Sequence, residues 1–326
     1  MHAKKDRTSI NKPTVVSLFA GGGGSSLGYQ AAGYDERLAV EFDSHAIECL
    51  RNNFDFPIWD KDIHDLSVSE CLELACVQPG ELDVLDGSPP CQGFSTAGRR
   101  NFDDQRNQLF TQYIRLLQGL QPKVLVMENV SGMVKGKMKL VFVQILQELK
   151  DCGYNVKAKL VNAQYHNVPQ SRQRVIFLGV RKDLAIQPTF PRPNRNKLSA
   201  DQAILGADQD LIPSCGPVID AMMPTCPPGL NLSQVRKSAS YFSYARCPIG
   251  KPTFTITKSQ PQYHPHEDRW MSIGEHKRLQ TFPDTYKLHG KWKAQIARLG
   301  NSVPPNLMQA IASHIADNIL KSGKQP

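Results

Sequence analysis

The chain has 326 residues, 40% apolar and 21% charged, enough for a sizeable core in a soluble protein of two lobes. No apolar run approaches the length of a membrane span, and the polar, basic N-terminus lacks the apolar stretch of a secretory signal. The formal net charge of +9 fits a polyanionic partner, and it fits equally well lysines kept for solubility.

Residues 15–19 read as a first strand, followed by a glycine turn and a helix toward Ala32. Residues 37–41 read as a second strand. Asp43 then makes a good N-cap for a helix through Asn53. Strands are expected at 82–85 and 123–127, helices at 66–77, 107–120 and 140–151, and closing strands at 156–161 and 175–180. This alternation predicts an α/β fold, a doubly wound and mostly parallel sheet with helices on both faces. After Arg181 the texture changes. Pro188, Pro191, Pro193, Pro213, Pro217, Pro224, Pro227 and Pro228 punctuate a stretch that reads as loops and short strands. Helical patterns return at 273–279 and 306–320. The expected organisation is a main domain over 1–185, a second, smaller irregular domain over 186–270, and a return to the main domain over 271–326.

The eight cysteines show no C-x-x-C pair and no even spacing. They read as reduced thiols, and no metal site is expected. Cys91 stands apart from the others. It lies in the run from Asp86 to Ser95, behind Pro89 and Pro90 and ahead of Gly93, where a buried strand gives way to a loop. Ligands and reactive groups collect at such strand ends in open α/β sheets. Two prolines fix the backbone and remove two amide donors, which suits a nucleophile better than a packing residue. Glu128 and Asn129 follow another apolar strand, so Cys91 and Glu128 share one sheet edge. A thiolate and a carboxyl group facing one pocket suit attack on an electron-poor ring such as cytosine, with the thiolate adding at C6 and the acid serving N3.

Gly21, Gly22, Gly23 and Gly24 between the first strand and helix let the backbone approach a ligand closely. Alone, this loop serves nicotinamide, flavin and nucleotide binders alike. Glu41, about twenty residues on, ends the second strand, where an acid binds ribose hydroxyls. Asp62 is placed to accept from an adenine amino group or to cap the helix after it. Arg172 and Arg174, at i and i+2, point to one face if the segment is extended, toward a base oxygen or a flanking phosphate. Arg99, Arg100 and Arg106 lie in a charged, glycine-containing stretch that suits phosphate contact and solvation equally.

Taken together, these residues resemble the cytosine-5 DNA methyltransferase family, whose ordered motifs cover nearly the whole chain. Phe19 to Gly24 resembles its F-x-G-x-G-G loop, and Pro89-Pro90-Cys91-Gln92 its nucleophile motif. Glu128-Asn129-Val130 resembles its E-N-V motif and Gln170 to Arg174 its Q-x-R-x-R motif. Arg278 to Pro283 and Gly300-Asn301-Ser302-Val303-Pro304-Pro305 resemble its last two. The resemblance implies a Rossmann-like fold and S-adenosylmethionine as cofactor, held by Phe19, Gly21, Gly23, Gly24, Glu41, Asp62, Ile63, Asn301, Ser302 and Val303. Cys91, Glu128, Arg172 and Arg174 would be catalytic. Pro89, Pro90, Gln92, Ser95, Arg99, Arg106, Asn129 and Gln170 would meet the substrate or DNA, and residues 186–270 would read the target in duplex DNA after the cytosine is flipped out. It further implies a cytoplasmic, nucleoid-associated bacterial modification enzyme of a restriction system, acting as a monomer and functionally paired with a cognate restriction endonuclease. Ser17 departs from the pattern, since the family usually carries an acid two positions before the phenylalanine. Other readings are an RNA methyltransferase on the same fold, which the long recognition region disfavours, and a non-catalytic DNA-binding regulator. A nicotinamide oxidoreductase leaves Pro-Pro-Cys and Gly-Asn-Ser-Val-Pro-Pro unexplained.

Overall fold

The computed structural model describes residues 12–90, 108–136 and 138–321. The first half alternates β1 (Thr14–Leu18), α1 (Gly24–Ala31), β2 (Asp35–Val40), α2 (Ser44–Arg51), β3 (Ile58–Trp59), α3 (Val68–Ala75), β4 (Val84–Gly87), α4 (Gln108–Leu120), β5 (Val124–Val130), α5 (Met138–Asp151), β6 (Tyr154–Asn162) and β7 (Gln173–Arg181). These strands form one seven-stranded sheet in the order β3-β2-β1-β4-β5-β7-β6. The pairs β1–β2, β1–β4, β2–β3 and β4–β5 are parallel, and β7 runs antiparallel to both β5 and β6. The expected doubly wound, mostly parallel sheet is present.

Central strands are apolar on both faces, as a sheet covered by helices on each side requires. Val84, Leu85, Val124, Leu125 and Val126 are all fully buried. On one face α4 contributes Phe110, Tyr113, Leu117 and Leu120, spaced at i, i+3, i+7 and i+10, beside Cys71 and Ala75 of α3 and Ile145 and Leu149 of α5. Each large apolar side chain buried here stabilises the fold by about 1.5–3 kcal/mol. Local signals agree with this packing. The Asp43 carboxylate accepts from Ala46 N at 3.0 Å and starts α2, and Ser67 with Glu70 forms a capping box that starts α3.

The chain continues through α6 (Ala200–Ala203), α7 (Pro217–Met222), α8 (Leu232–Arg236), α9 (Ile273–Leu279), α10 (Trp292–Asn301) and α11 (Pro305–Ile315). The stretch from 186 to 270 differs from its sequence reading. Among the described residues it holds isolated bridges such as Arg246↔Tyr263 and short helices, with no extended strand ladder. Pro217 is one reason, because it sits in the first turn of α7, where its missing N–H has no helical partner to lose. A small core of Met223, Cys226, Leu232, Tyr263 and Trp270 holds this stretch together. The sequence reading also missed α10.

Helix α11 returns to the sheet, and Leu307, Met308, Ile311, Ala312 and Ile315 join Val15, Tyr29 and Val126 in the core of the second face. Gly28 makes this approach feasible. A Cβ there would lie 2.5 Å from Met308 Cβ and 2.7 Å from the Pro305 carbonyl. No helix among the described residues is long and apolar enough to cross a membrane.

Candidate active site

At the carboxyl ends of β1 and β2 the structure forms a cavity of about 450 Å³ lined by Phe19, Val40, Glu41, Phe42, Asp62, Ile63 and neighbours. That size and place suit a nucleotide-like ligand. β1 ends at Leu18, one residue earlier than expected, because Phe19 turns into the left-handed region at φ 57°. A bulky residue held there marks local strain, which clusters at binding sites. Glu41 is buried and fixed at both oxygens. Oε2 accepts from Gly21 N at 2.7 Å, and Oε1 accepts from Phe42 N and Asp43 N, each at 2.9 Å. A solvated surface role for Glu41 is therefore excluded. Asp62 is exposed and does cap the turn after it, its Oδ1 accepting from His64 N at 3.0 Å. The backbone N–H of His64, followed by the His64 ring, holds this carboxyl below its ordinary range. Phe42 is 69% exposed on the same rim. The sequence reading did not single it out, although an aromatic directly after a strand-ending acid was the available signal.

Behind this cavity the glycine loop is clamped by the C-terminal part of the chain. A Cβ on Gly24 would lie 2.2 Å from the Val303 carbonyl oxygen and 2.9 Å from Ser302 Cβ, and Tyr286 donates its hydroxyl to the Gly22 carbonyl at 2.8 Å. Ser302 and Val303 are buried and Asn301 is exposed. Ser302 and Val303 thus buttress the loop that carries Gly21, Gly23 and Gly24. Asn301, Ser302 and Val303 are not in the cavity lining. The residues present fit an adenosyl donor, with a buried acid at a strand end, an exposed aromatic ring and a loop without side chains.

The second group of site residues sits at the ends of β4 and β5. These strands are direct neighbours, with Gly87 opposite Met127. Glu128 is buried, and its Oε1 pairs with Arg174 Nε at 2.6 Å. Arg174 lies opposite Val130 on β7, which brings it to this edge. Asn129 donates from Nδ2 to the Pro89 carbonyl at 3.1 Å and so ties the end of β5 to the chain two residues before Cys91. Cys91, Gln92, Ser95, Arg99 and Arg106 lie outside the described residues. Pro89 is buried and Pro90 is exposed.

Gln170 and Arg172 are placed differently from expectation. Arg172 N donates to the Gln170 carbonyl at 3.1 Å, closing a tight turn before β7 begins. The Arg172 side chain is fully buried. Its Nη1 donates to the Ile256 carbonyl at 3.0 Å and its Nη2 to the Gly300 carbonyl at 2.7 Å. Burial lowers its pKa to about 9, so it stays a cation at neutral pH. Gln170 is equally buried. Its Nε2 donates to Gln280 Oε1 at 2.6 Å and its Oε1 accepts from Ile256 N at 2.9 Å, while Gln280 Nε2 donates to the Ser302 carbonyl at 2.8 Å. Both residues tie the 186–270 stretch to the C-terminal part of the chain. Arg172→Ala should leave two buried carbonyls without donors, at about 1–3 kcal/mol each. A thermal melt is expected to show a drop of several degrees. An unchanged melt would leave Arg172 free for the substrate role.

With this geometry in place, the comparisons with known proteins agree with one another. Residues 13–214 and 230–317 match the family model described as C-5 cytosine-specific DNA methylase. The Type II methyltransferase M1.HphI of Haemophilus parahaemolyticus is 34% identical over 93% of this chain and 86% of its own length. The Type II methyltransferase M.Eco47II of Escherichia coli is 33% identical over 97% of this chain and 83% of its own length. Among solved structures, a prophage-encoded Escherichia coli protein shares the fold with a TM-score of 0.75 at 24% identity, over 95% of this chain and all of that one. Dnmt2 methyltransferase of S. pombe does so with a TM-score of 0.66 at 17% identity, over 94% of this chain and 98% of that one. The fold is thus that of the Rossmann-like methyltransferases. The chain belongs to the C-5 cytosine-specific DNA methylase family.

Proposed function

We propose that this DNA cytosine-5 methyltransferase uses S-adenosylmethionine to modify a cytosine within a specific duplex DNA sequence, as the modification enzyme of a restriction system. The observation that carries this reading is the placement of the Glu128–Arg174 pair at the end of β5, beside the strand that leads into Pro89-Pro90-Cys91. The printed names of the relatives, Type II methyltransferases, support the restriction-system role.

The cofactor supplies an electrophilic methyl group. Glu41, held by three backbone amides, presents a fixed carboxylate to ribose hydroxyls, and Phe19 and Phe42 offer faces to the adenine. At the other edge Cys91, as thiolate, forms a bond to C6 of the flipped-out base. The electron pair of the C5–C6 double bond moves into the ring, and N3 takes a proton from Glu128. C5 is then electron-rich and able to accept an electrophilic carbon. Loss of the C5 proton to a base, breakage of the S–C6 bond and return of the N3 proton to Glu128 restore the aromatic ring, the thiolate and the acid. Arg174 is the cation that orients Glu128, and the base oxygen is its proposed partner in the complex. Asn129 positions the nucleophile loop through Pro89, while Gln92, Ser95, Arg99 and Arg106 meet the DNA. The division into domains 1–185, 186–270 and 271–326, and action by a monomer in the cytoplasm alongside a cognate endonuclease, belong to the same proposal.

Transfer of tritiated methyl from S-adenosylmethionine to duplex DNA and to tRNA tests this reading. Label in duplex DNA alone is expected, and label confined to tRNA would overturn it. Bisulfite sequencing of DNA from an expressing host then returns the methylated sequence.

A further inference from the structure

Beneath α1 the sheet carries a buried cluster of acids and hydroxyls that the reaction described above does not use. Ser17 on β1 is paired in register with Asp86 on β4. Glu36 on β2 lies opposite Val15, beside a bulge that aims its side chain under α1. Ser25, Ser26 and Tyr29 of α1 close the cluster from above, and all but Glu36 are buried. Tyr29 donates its hydroxyl to Asp86 Oδ1 at 3.4 Å, Ser25 and the Gly87 amide face the Asp86 carboxyl and favour its charged form, and Ser26 Oγ donates to Glu36 Oε1 at 2.9 Å. Glu36 Oε2 and Ser17 Oγ are shut off from solvent and face the same space, yet neither closes a well-formed hydrogen bond. Buried polar atoms of this kind are rare and costly.

We propose that Asp86 and Glu36 act as a protonated carboxyl pair that seats the first turn of α1, making Asp86 a positioning residue for methyl transfer. Asp86 lies between two working parts. Through Ser25 and Tyr29 it holds the helix that follows Gly21 to Gly24, and along its own strand it precedes Pro89-Pro90-Cys91 by a few residues. A neutral carboxyl both donates and accepts, so it suits a site built from hydroxyls, whereas a carboxylate only accepts. Glu36 and Asp86 bring acids to the place of Ser17 from the strands on either side of it.

The electrostatics agree. Burial raises the Asp86 pKa to about 7 and that of Glu36 to about 8. The titratable groups facing the two carboxyls are Tyr29, Tyr113 of α4, Glu128 of β5 and Tyr286, and none of them is a cation. Both shifts are upward, so the folded chain keeps protons that the unfolded chain releases above about pH 4, and stability falls from there as the pH rises through about 7 for Asp86 and about 8 for Glu36. Above that, two unpaired charges sit under the donor loop and loosen its seat.

This inference rests on the donor occupying the cavity beside Glu41, and binding of S-adenosylhomocysteine without DNA, measured by calorimetry, tests it. Affinity is expected to fall about tenfold between pH 6.5 and 8.5, the scale of one pKa unit. Asp86→Asn combined with Glu36→Gln should flatten that slope to less than twofold. Asp86→Ala should bind and turn over at least about tenfold more weakly at pH 6.5, with Asp86→Asn restoring both. A flat wild-type profile, or an unchanged slope in the Asn/Gln variant, would overturn the inference. Absence of binding at every pH would instead overturn the reading of the cavity.

Discussion

Replacement of Cys91 by alanine is expected to lower the rate of methyl transfer by about 10³-fold or more while leaving S-adenosylhomocysteine affinity within about threefold. The expectation follows from the division of the site. The cavity proposed for the donor is built by Phe19, Glu41 and Phe42 at the ends of β1 and β2 and by Asp62 and its neighbours after β3. The nucleophile loop leaves from β4 and is tied to β5 through the Asn129–Pro89 contact. Removal of the sulfur therefore deletes the bond-forming group without touching the donor contacts. Retained turnover, measured as tritiated methyl in duplex DNA, would refute the nucleophile role. Joint loss of turnover and donor binding would mean that Cys91 maintains the fold.

Glu128→Gln is expected to lower kcat by about 10²- to 10⁴-fold with little change in KM for DNA. Glutamine has almost the same shape and can still accept from Arg174, so the half-buried arginine keeps a partner and the fold should persist. What is lost is the proton that N3 requires as the thiolate adds. The 2.6 Å contact between Arg174 Nε and Glu128 Oε1 leaves the other oxygen, Oε2, for this task. Arg174→Ala should show a mixed effect, because it frees a buried carboxylate and removes a contact to the base. A Glu128→Gln variant altered only in KM would reduce Glu128 to a substrate-positioning residue.

The parts of this structure written in short-range pattern were legible in the sequence. Asp43 caps α2 as expected, and β4 and β5 are neighbours, formed from the apolar runs read at 82–85 and 123–127. Glu41 was legible because an acid closing the second strand of such a sheet has one obvious neighbour, the glycine loop. Arg172 was not legible. Its two carbonyl partners are 84 and 128 residues away, out of reach of any local pattern. The prolines after Arg181 misled in part. Proline breaks a helix interior yet begins a helix well, and Pro217 and Pro305 both occupy first turns. Helix α10 was hidden because its apolar stripe, Trp292, Ile296 and Leu299, is interleaved with lysine and arginine. The carboxyl pair beneath α1 depends on register across three strands, and no local pattern announces it.

The central claim is that Cys91 attacks C6 of a cytosine in duplex DNA so that C5 can be methylated. It is tested most directly with duplex DNA carrying 5-fluorocytosine at the methylated position. Fluorine replaces the proton that must leave C5, so the covalent adduct cannot break down. In the presence of S-adenosylmethionine the wild-type protein is expected to form a denaturation-resistant complex with this DNA, and Cys91→Ala is expected to form none. Methylation of ordinary cytosine by the wild-type protein, with no adduct on the fluorinated duplex, would contradict the account.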